Sequence, residues 1–147
     1  MIHFDFKEHR PCILPAPANP FDESALHRRG MQARIDLAAC YRLVHLYGMS
    51  DMMVNHISSR VPGEVGAFLI NAYGMMYEEI TAFSLIKVDH DGTILPKPDF
   101  GELDYGINKA GYVNHSALHE ARPEVGCVIH THNIGINAIL NVNLNVL

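Results

Sequence analysis

The sequence predicts one mixed α/β domain built around a largely antiparallel sheet. Three observations predict it. Short β-rich segments are joined by tight Pro-Gly and Asp-Gly turns, so neighbouring strands should run antiparallel. Two longer segments with helical spacing stand before and after those strands. A chain of 147 residues with 48% hydrophobic content is long enough to bury one real core.

Residues 1–21 hold four of the eight prolines, in "RPCILPAPANP", and read as an extended arm. The folded domain is expected over 22–147. Asp22 is placed as the N-cap of the first helix, with Glu23 at its positive end. That helix should run to about Tyr47, with Gly48 as its stop. Ala33, Leu37, Tyr41 and Val44 recur at helical spacing, and Gly30 is a point at which the segment could split. "NHISSRVP" and "GAFLINAYG" read as the strands of a hairpin. "EEITAFS" is expected to make one helical turn. "LIKVD" and "TIL" flank "HDG" as two further strands. "KPDFGELDYG" is loop. "NKAGYVNHSALHEAR" is a helix ended by Pro123, and "VGCVIHT" is read as a buried strand. The chain has no internal repeat.

Composition narrows the function classes. The formal net charge is -5 and Lys and Arg are scattered, so neither nucleic acid nor a membrane surface is an expected partner. No apolar run approaches the roughly 18 residues of a membrane span. The opening "MIHFDFKEHR" lacks the apolar stretch of a signal peptide. Cys12, Cys40 and Cys127 make neither a disulfide framework nor a paired metal motif, so a cytoplasmic location is expected.

The chemistry is sought in histidines. In "VIHTHNIG", strand alternation puts Val128, His130 and His132 on one face. Two imidazoles on one face can converge on an ion such as zinc or iron. Chance alone, however, places about 0.7 His-x-His pairs in a chain with ten histidines in 147 positions, so the bare motif leaves a metal site and an ordinary pair both open. Its place at a strand end favours a ligand site. His115 and His119 share one helical face, either as a partly buried polar stripe or as a metal- or substrate-facing pair. A catalytic zinc site needs three protein ligands and an open position, and spacing identifies no third. Asn55, Ser58, Ser59 and Arg60 either bind an anion or form the polar face of a strand. Glu78 and Glu79 read as a solvated helix start, and Gly74 as a turn residue.

In order, "RIDLAACYRLVHLYGM", "NHISSRVPG", "FLINAYGMMYEEITAFSLIKVDHDG" and "NKAGYVNHSALHEARPEVGCVIHTH" resemble the class II aldolase/adducin family, closest to its adducin-like bacterial branch. The resemblance covers residues 32–132. It implies an α/β/α layered domain with a central, mostly antiparallel sheet. It also implies a homo-oligomer, tetrameric in intact relatives, with sites at subunit interfaces. His130 and His132 match the family's metal-binding pair. The metal, usually zinc, polarises a substrate carbonyl and so stabilises an enediolate. Asn55 matches an asparagine that helps bind substrate phosphate. Gly74 matches the glycine of a second phosphate-side loop, with Tyr73 in place of the aldolases' threonine. His115 is a polar group near the substrate. The aldolases carry a catalytic glutamate four residues before the histidine that matches His115. Here that position is Gly111, so no catalytic residue is assigned.

The family's third metal histidine lies further downstream. Residues 133–147, with asparagine at 133, 137, 141, 143 and 145, diverge from the expected continuation. The expectation is a C-terminally truncated chain, its fold incomplete at that end and its zinc site weak or absent. The resemblance implies a divalent-metal-dependent lyase or epimerase-type enzyme acting on a small hydroxy-carbonyl or sugar-phosphate substrate. The alternative is a non-catalytic adducin-like interaction module or an inactive truncated fragment.

Overall fold

A computed structural model describes residues 23–95 and 98–132. The Pro-rich arm expected over 1–21, the N-cap expected at Asp22 and the divergent stretch 133–147 lie outside the described residues. Helix α1 spans Glu23–Leu46 and passes through Gly30 without a break. Gly48 ends it at φ +64, where a side chain would be strained. The Gly48 N–H donates to the His45 carbonyl at 2.9 Å and the Met49 N–H to the Val44 carbonyl at 3.0 Å, which satisfies the last turn.

Strands β1 (His56–Arg60), β2 (Ala67–Ile70), β3 (Ile86–Asp89) and β4 (Cys127–His130) form one sheet in the order β3-β2-β1-β4. Every pairing is antiparallel. Helix α2 (Lys109–Ala121) is capped by Asn108, whose side chain accepts from the backbone N–H groups of Ala110 and Gly111. At its other end Arg122 has left the helical region at φ -130, as Pro123 requires.

Strand alternation sorts the core into two layers. Ile57 and Leu69 turn toward α1 and pack with Leu37, Tyr41 and Val44. Phe68, Ile70, Ile86 and Val88 form the opposite cluster, against which Tyr112 of α2 packs. Phe68 and Tyr112 stack with ring centroids 6.1 Å apart. Helices therefore cover both faces of an antiparallel sheet, the expected α/β/α layering.

Tyr41 joins α1 to the sheet. Its hydroxyl accepts from the backbone N–H of Ile57 at 2.9 Å and of Asn71 at 3.1 Å, and donates to the Asn71 side-chain oxygen at 2.9 Å. Two buried donors, one on β1 and one just past the end of β2, are thus satisfied by one phenol.

Three local expectations change. The turn expected over "EEITAFS" forms earlier, as one 3-10 turn at Tyr77–Glu79. "TIL" makes only an isolated bridge, Ile94 to Val88. Pro96 and Pro98 lack the N–H groups needed to prolong that pairing. The strand read as buried, β4, pairs with β1 alone among the described strands, and Ile129 is 54% exposed. Its apolar run indicated burial, but a strand's place at a sheet edge is not written in its own composition.

Candidate functional site

The face of β1 turned toward α2 carries His56 and Ser58. Helix α2 presents His115 and His119, one turn apart, to the same place. All four side chains are buried. His56 Nδ1 lies 3.0 Å from His115 Nε2. Ser58 Oγ lies 2.6 Å from His115 Nδ1 and 2.8 Å from His119 Nε2. The result is one hydrogen-bonded chain, His56–His115–Ser58–His119, between strand and helix. His119 Nδ1 is left without a partner. Burial, then the neighbouring His56, pushes the His115 pKa down to about 4. Burial, then Arg60, does the same for His119, also to about 4. Near neutral pH the chain is made of uncharged rings.

The pairing of β1 with β4 sets His130 opposite His56. Their rings stack with centroids 4.8 Å apart. His132 follows just beyond the strand, and its Nε2 stands 3.1 Å from His130 Nε2. On its other side, His132 Nδ1 lies 2.9 Å from the Asp51 carboxylate. A carboxylate on Nδ1 holds the proton there and turns the Nε2 lone pair toward His130, the arrangement found behind metal-binding histidines. Burial, then His132, holds the His130 pKa below its ordinary value, which favours the neutral ring that metal binding requires. The donor set fits a divalent ion in part. Two imidazole nitrogens converge, but no group of three or more His, Cys, Asp or Glu able to hold a metal exists among the described residues. Such a pair would leave the remaining positions to water or ligand.

Asn55 sits on the loop that also carries Asp51 and is buried. Its side-chain oxygen accepts from the Asp51 N–H, while its Nδ2 has no partner. Gly74 has φ +108, and a Cβ there would stand 2.9 and 3.0 Å from the Tyr105 ring, so the position demands glycine twice over. The neighbouring Tyr73 N–H is taken by the Gly106 carbonyl at 2.8 Å. Arg60 points at the end of α2, donating to the Val125 carbonyl at 2.9 Å, the Arg122 carbonyl at 3.2 Å and the His119 carbonyl. Its charge meets the negative end of the helix.

Sequence spacing reached His130, His132, His115 and His119. It missed His56 and Asp51, which bind them. The signal for His56 was its i, i+2 relation to Ser58, which puts both on one face. Nothing local marked Asp51.

The profile described as Class II Aldolase and Adducin N-terminal domain matches residues 35–143. A Pseudomonas aeruginosa protein provisionally named an aldolase class 2 protein is 54% identical over 101 residues, covering 69% of this chain and 37% of its own length. The crystal structure of an aldolase II superfamily protein from Pseudomonas syringae superimposes with a TM-score of 0.67 at 48% identity, over 72% of this chain and 41% of that one. An L-fuculose 1-phosphate aldolase from Glaciozyma antarctica does so with a TM-score of 0.68 at 28% identity, over 74% and 43%. The chain therefore spans less than half the length of these relatives. No helix among the described residues is long and apolar enough to cross a membrane.

Proposed function

The chain belongs to the class II aldolase and adducin family, and on that premise we propose that it holds a divalent ion, zinc, through His130 and His132 and acts at a carbonyl-bearing substrate beside them. The observation that carries this reading is the 3.1 Å convergence of the two Nε2 atoms, with Asp51 fixing the His132 tautomer. When bound, such an ion supplies a Lewis acid for a carbonyl oxygen. Asn55 offers its unpartnered Nδ2 to the substrate's anionic group, a phosphate or carboxylate. Gly74 keeps the loop after β2 in a shape that no other residue adopts without strain. His115 lies one shell behind, holding His56 and Ser58 in place. The substrate class is a small hydroxy-carbonyl compound or a sugar phosphate, and the reaction a lyase or epimerase step. A cytoplasmic homo-oligomer is part of the same proposal; β4, which among the described strands pairs with β1 alone and leaves Ile129 exposed, supports association.

Zinc titration of protein purified without an affinity tag tests this. Saturable binding that His130→Ala removes is the expected result. Absence of binding, or binding that His130→Ala leaves unchanged, overturns it. A non-catalytic interaction module is the second reading. It is favoured by Gly111, which puts no carboxylate at the family's acid/base position. Measured aldol cleavage would overturn that second reading.

A further inference from the structure

Gly111 lies in the first turn of α2, directly over β1. A Cβ built on it would overlap Cδ2 and Nε2 of His56 and stand 2.8 Å from Cγ. The ring of His56 cannot simply swing aside. Its Nδ1 is 3.0 Å from His115 Nε2, its edge meets the His115 ring at 4.7 Å, and its face stacks on His130 at 4.8 Å. His56 is also buried on a central strand, flanked by β2 and β4. Glycine in a helix is unfavourable by backbone entropy, and at residue 111, unlike at Gly30 in α1, the space that a Cβ would take is already filled.

We propose that His56 and Gly111 are an exchange pair: the imidazole on β1 stands in the volume that a side chain on α2 would fill, and it supplies the polar group beside His130. Two consequences follow from chemistry. An imidazole carries no negative charge in either protonation state, so this wall of the site is not the carboxylate that an aldolase-type acid/base step uses. And no carboxylate can be installed at residue 111 while the His56 ring keeps its place. His56 acts through His130, whose ring it backs, and is therefore a positioning residue. This functional half rests on the metal reading above; the steric half does not.

A double-mutant cycle on the full chain separates the two halves. Gly111→Ala should lower the melting temperature of the otherwise native protein, because the added methyl group meets the pinned ring. In a His56→Ala background the same change should raise it, because alanine is the better helix former. His56→Ser replaces His56→Ala if the latter does not fold. An equal effect of Gly111→Ala in both backgrounds would overturn the exchange pair.

Zinc affinity, read by competition with a chromophoric chelator, tests the positioning role. Gly111→Ala and His56→Ala should each weaken binding about tenfold or more, as loss of groups behind a metal ligand does, and the double variant should bind no more weakly than His56→Ala alone. Unchanged affinity in both single variants would overturn the positioning role. If the native chain binds no zinc, the metal reading and the positioning role fail together, and the sign change in stability still decides the exchange pair.

Discussion

Asp51 Oδ2 and His132 Nδ1 stand 2.9 Å apart, although 81 residues separate them in the chain. The turn before Asn55 creates this contact, with Met52 held at φ 43, a conformation that non-glycine residues seldom adopt. Backbone strain concentrated beside a site is a recurring mark of function. The contact gives the first prediction. Asp51→Asn removes the charge that fixes the His132 tautomer, and zinc affinity should fall by about 10–100-fold. Chelator competition measures it, and an affinity equal to that of the native chain would remove Asp51 from the site.

The second prediction concerns acid. His115 and His119 are pushed down to about 4, chiefly by burial, from an ordinary value of 6.5. Between those two values the unfolded chain binds protons that the folded chain excludes, so stability rises with pH. The contribution is complete above 6.5 and is lost as the pH falls from there toward 4. The melting temperature of the metal-free protein should decline across that window. His119→Leu should flatten part of the slope. A profile that stays level from pH 7 to pH 4 would contradict the buried neutral chain.

Gly74→Ala carries the third. At φ +108, facing the Tyr105 ring at 2.9 Å, alanine is penalised by both backbone and contact. Urea unfolding should show a loss of about 1–3 kcal/mol. Adding Tyr105→Ala removes the clash but not the backbone strain, so only part of the loss should return.

Tyr41→Phe carries the fourth. The phenol oxygen is the acceptor for the Ile57 and Asn71 N–H groups, and Tyr41 is fully buried. Without it each donor is stranded, at about 1–3 kcal/mol apiece. Denaturant titration should give a combined loss well above that of an ordinary core hydroxyl deletion. A change under about 0.5 kcal/mol, the usual range for a surface substitution, would mean that neither donor depends on Tyr41.

Much of the architecture is legible because its signals are local. Gly48 and Pro123 end the two helices through backbone geometry that each residue imposes on its own neighbours. Pro62 and Gly63 turn the chain between β1 and β2, with Gly63 at φ +84. Where an outcome depended on what lies alongside, the reading failed. "CVIH" looks like an interior strand but, among the described strands, pairs with β1 alone, because its own residues do not say which strands lie beside it. "TIL" has strand composition but too little unbroken backbone before the prolines to extend its bridge.

The candidate site divides the same way. The spacing of His130 and His132, and of His115 and His119, follows from strand and helix periods, so the sequence by itself determined which histidines share a face. It also carried the ordered segments that identify the family, and the glycine at 111. Only the tertiary structure decided who meets whom. His56 reaches His115 across 59 residues, Asp51 reaches His132 across 81, and the ring of one strand fills the space left by a helix glycine. Periodicity is a property of a single segment. The register between distant segments is set by packing the whole core at once, and that is what brings His56, His115, His130 and His132 to one place.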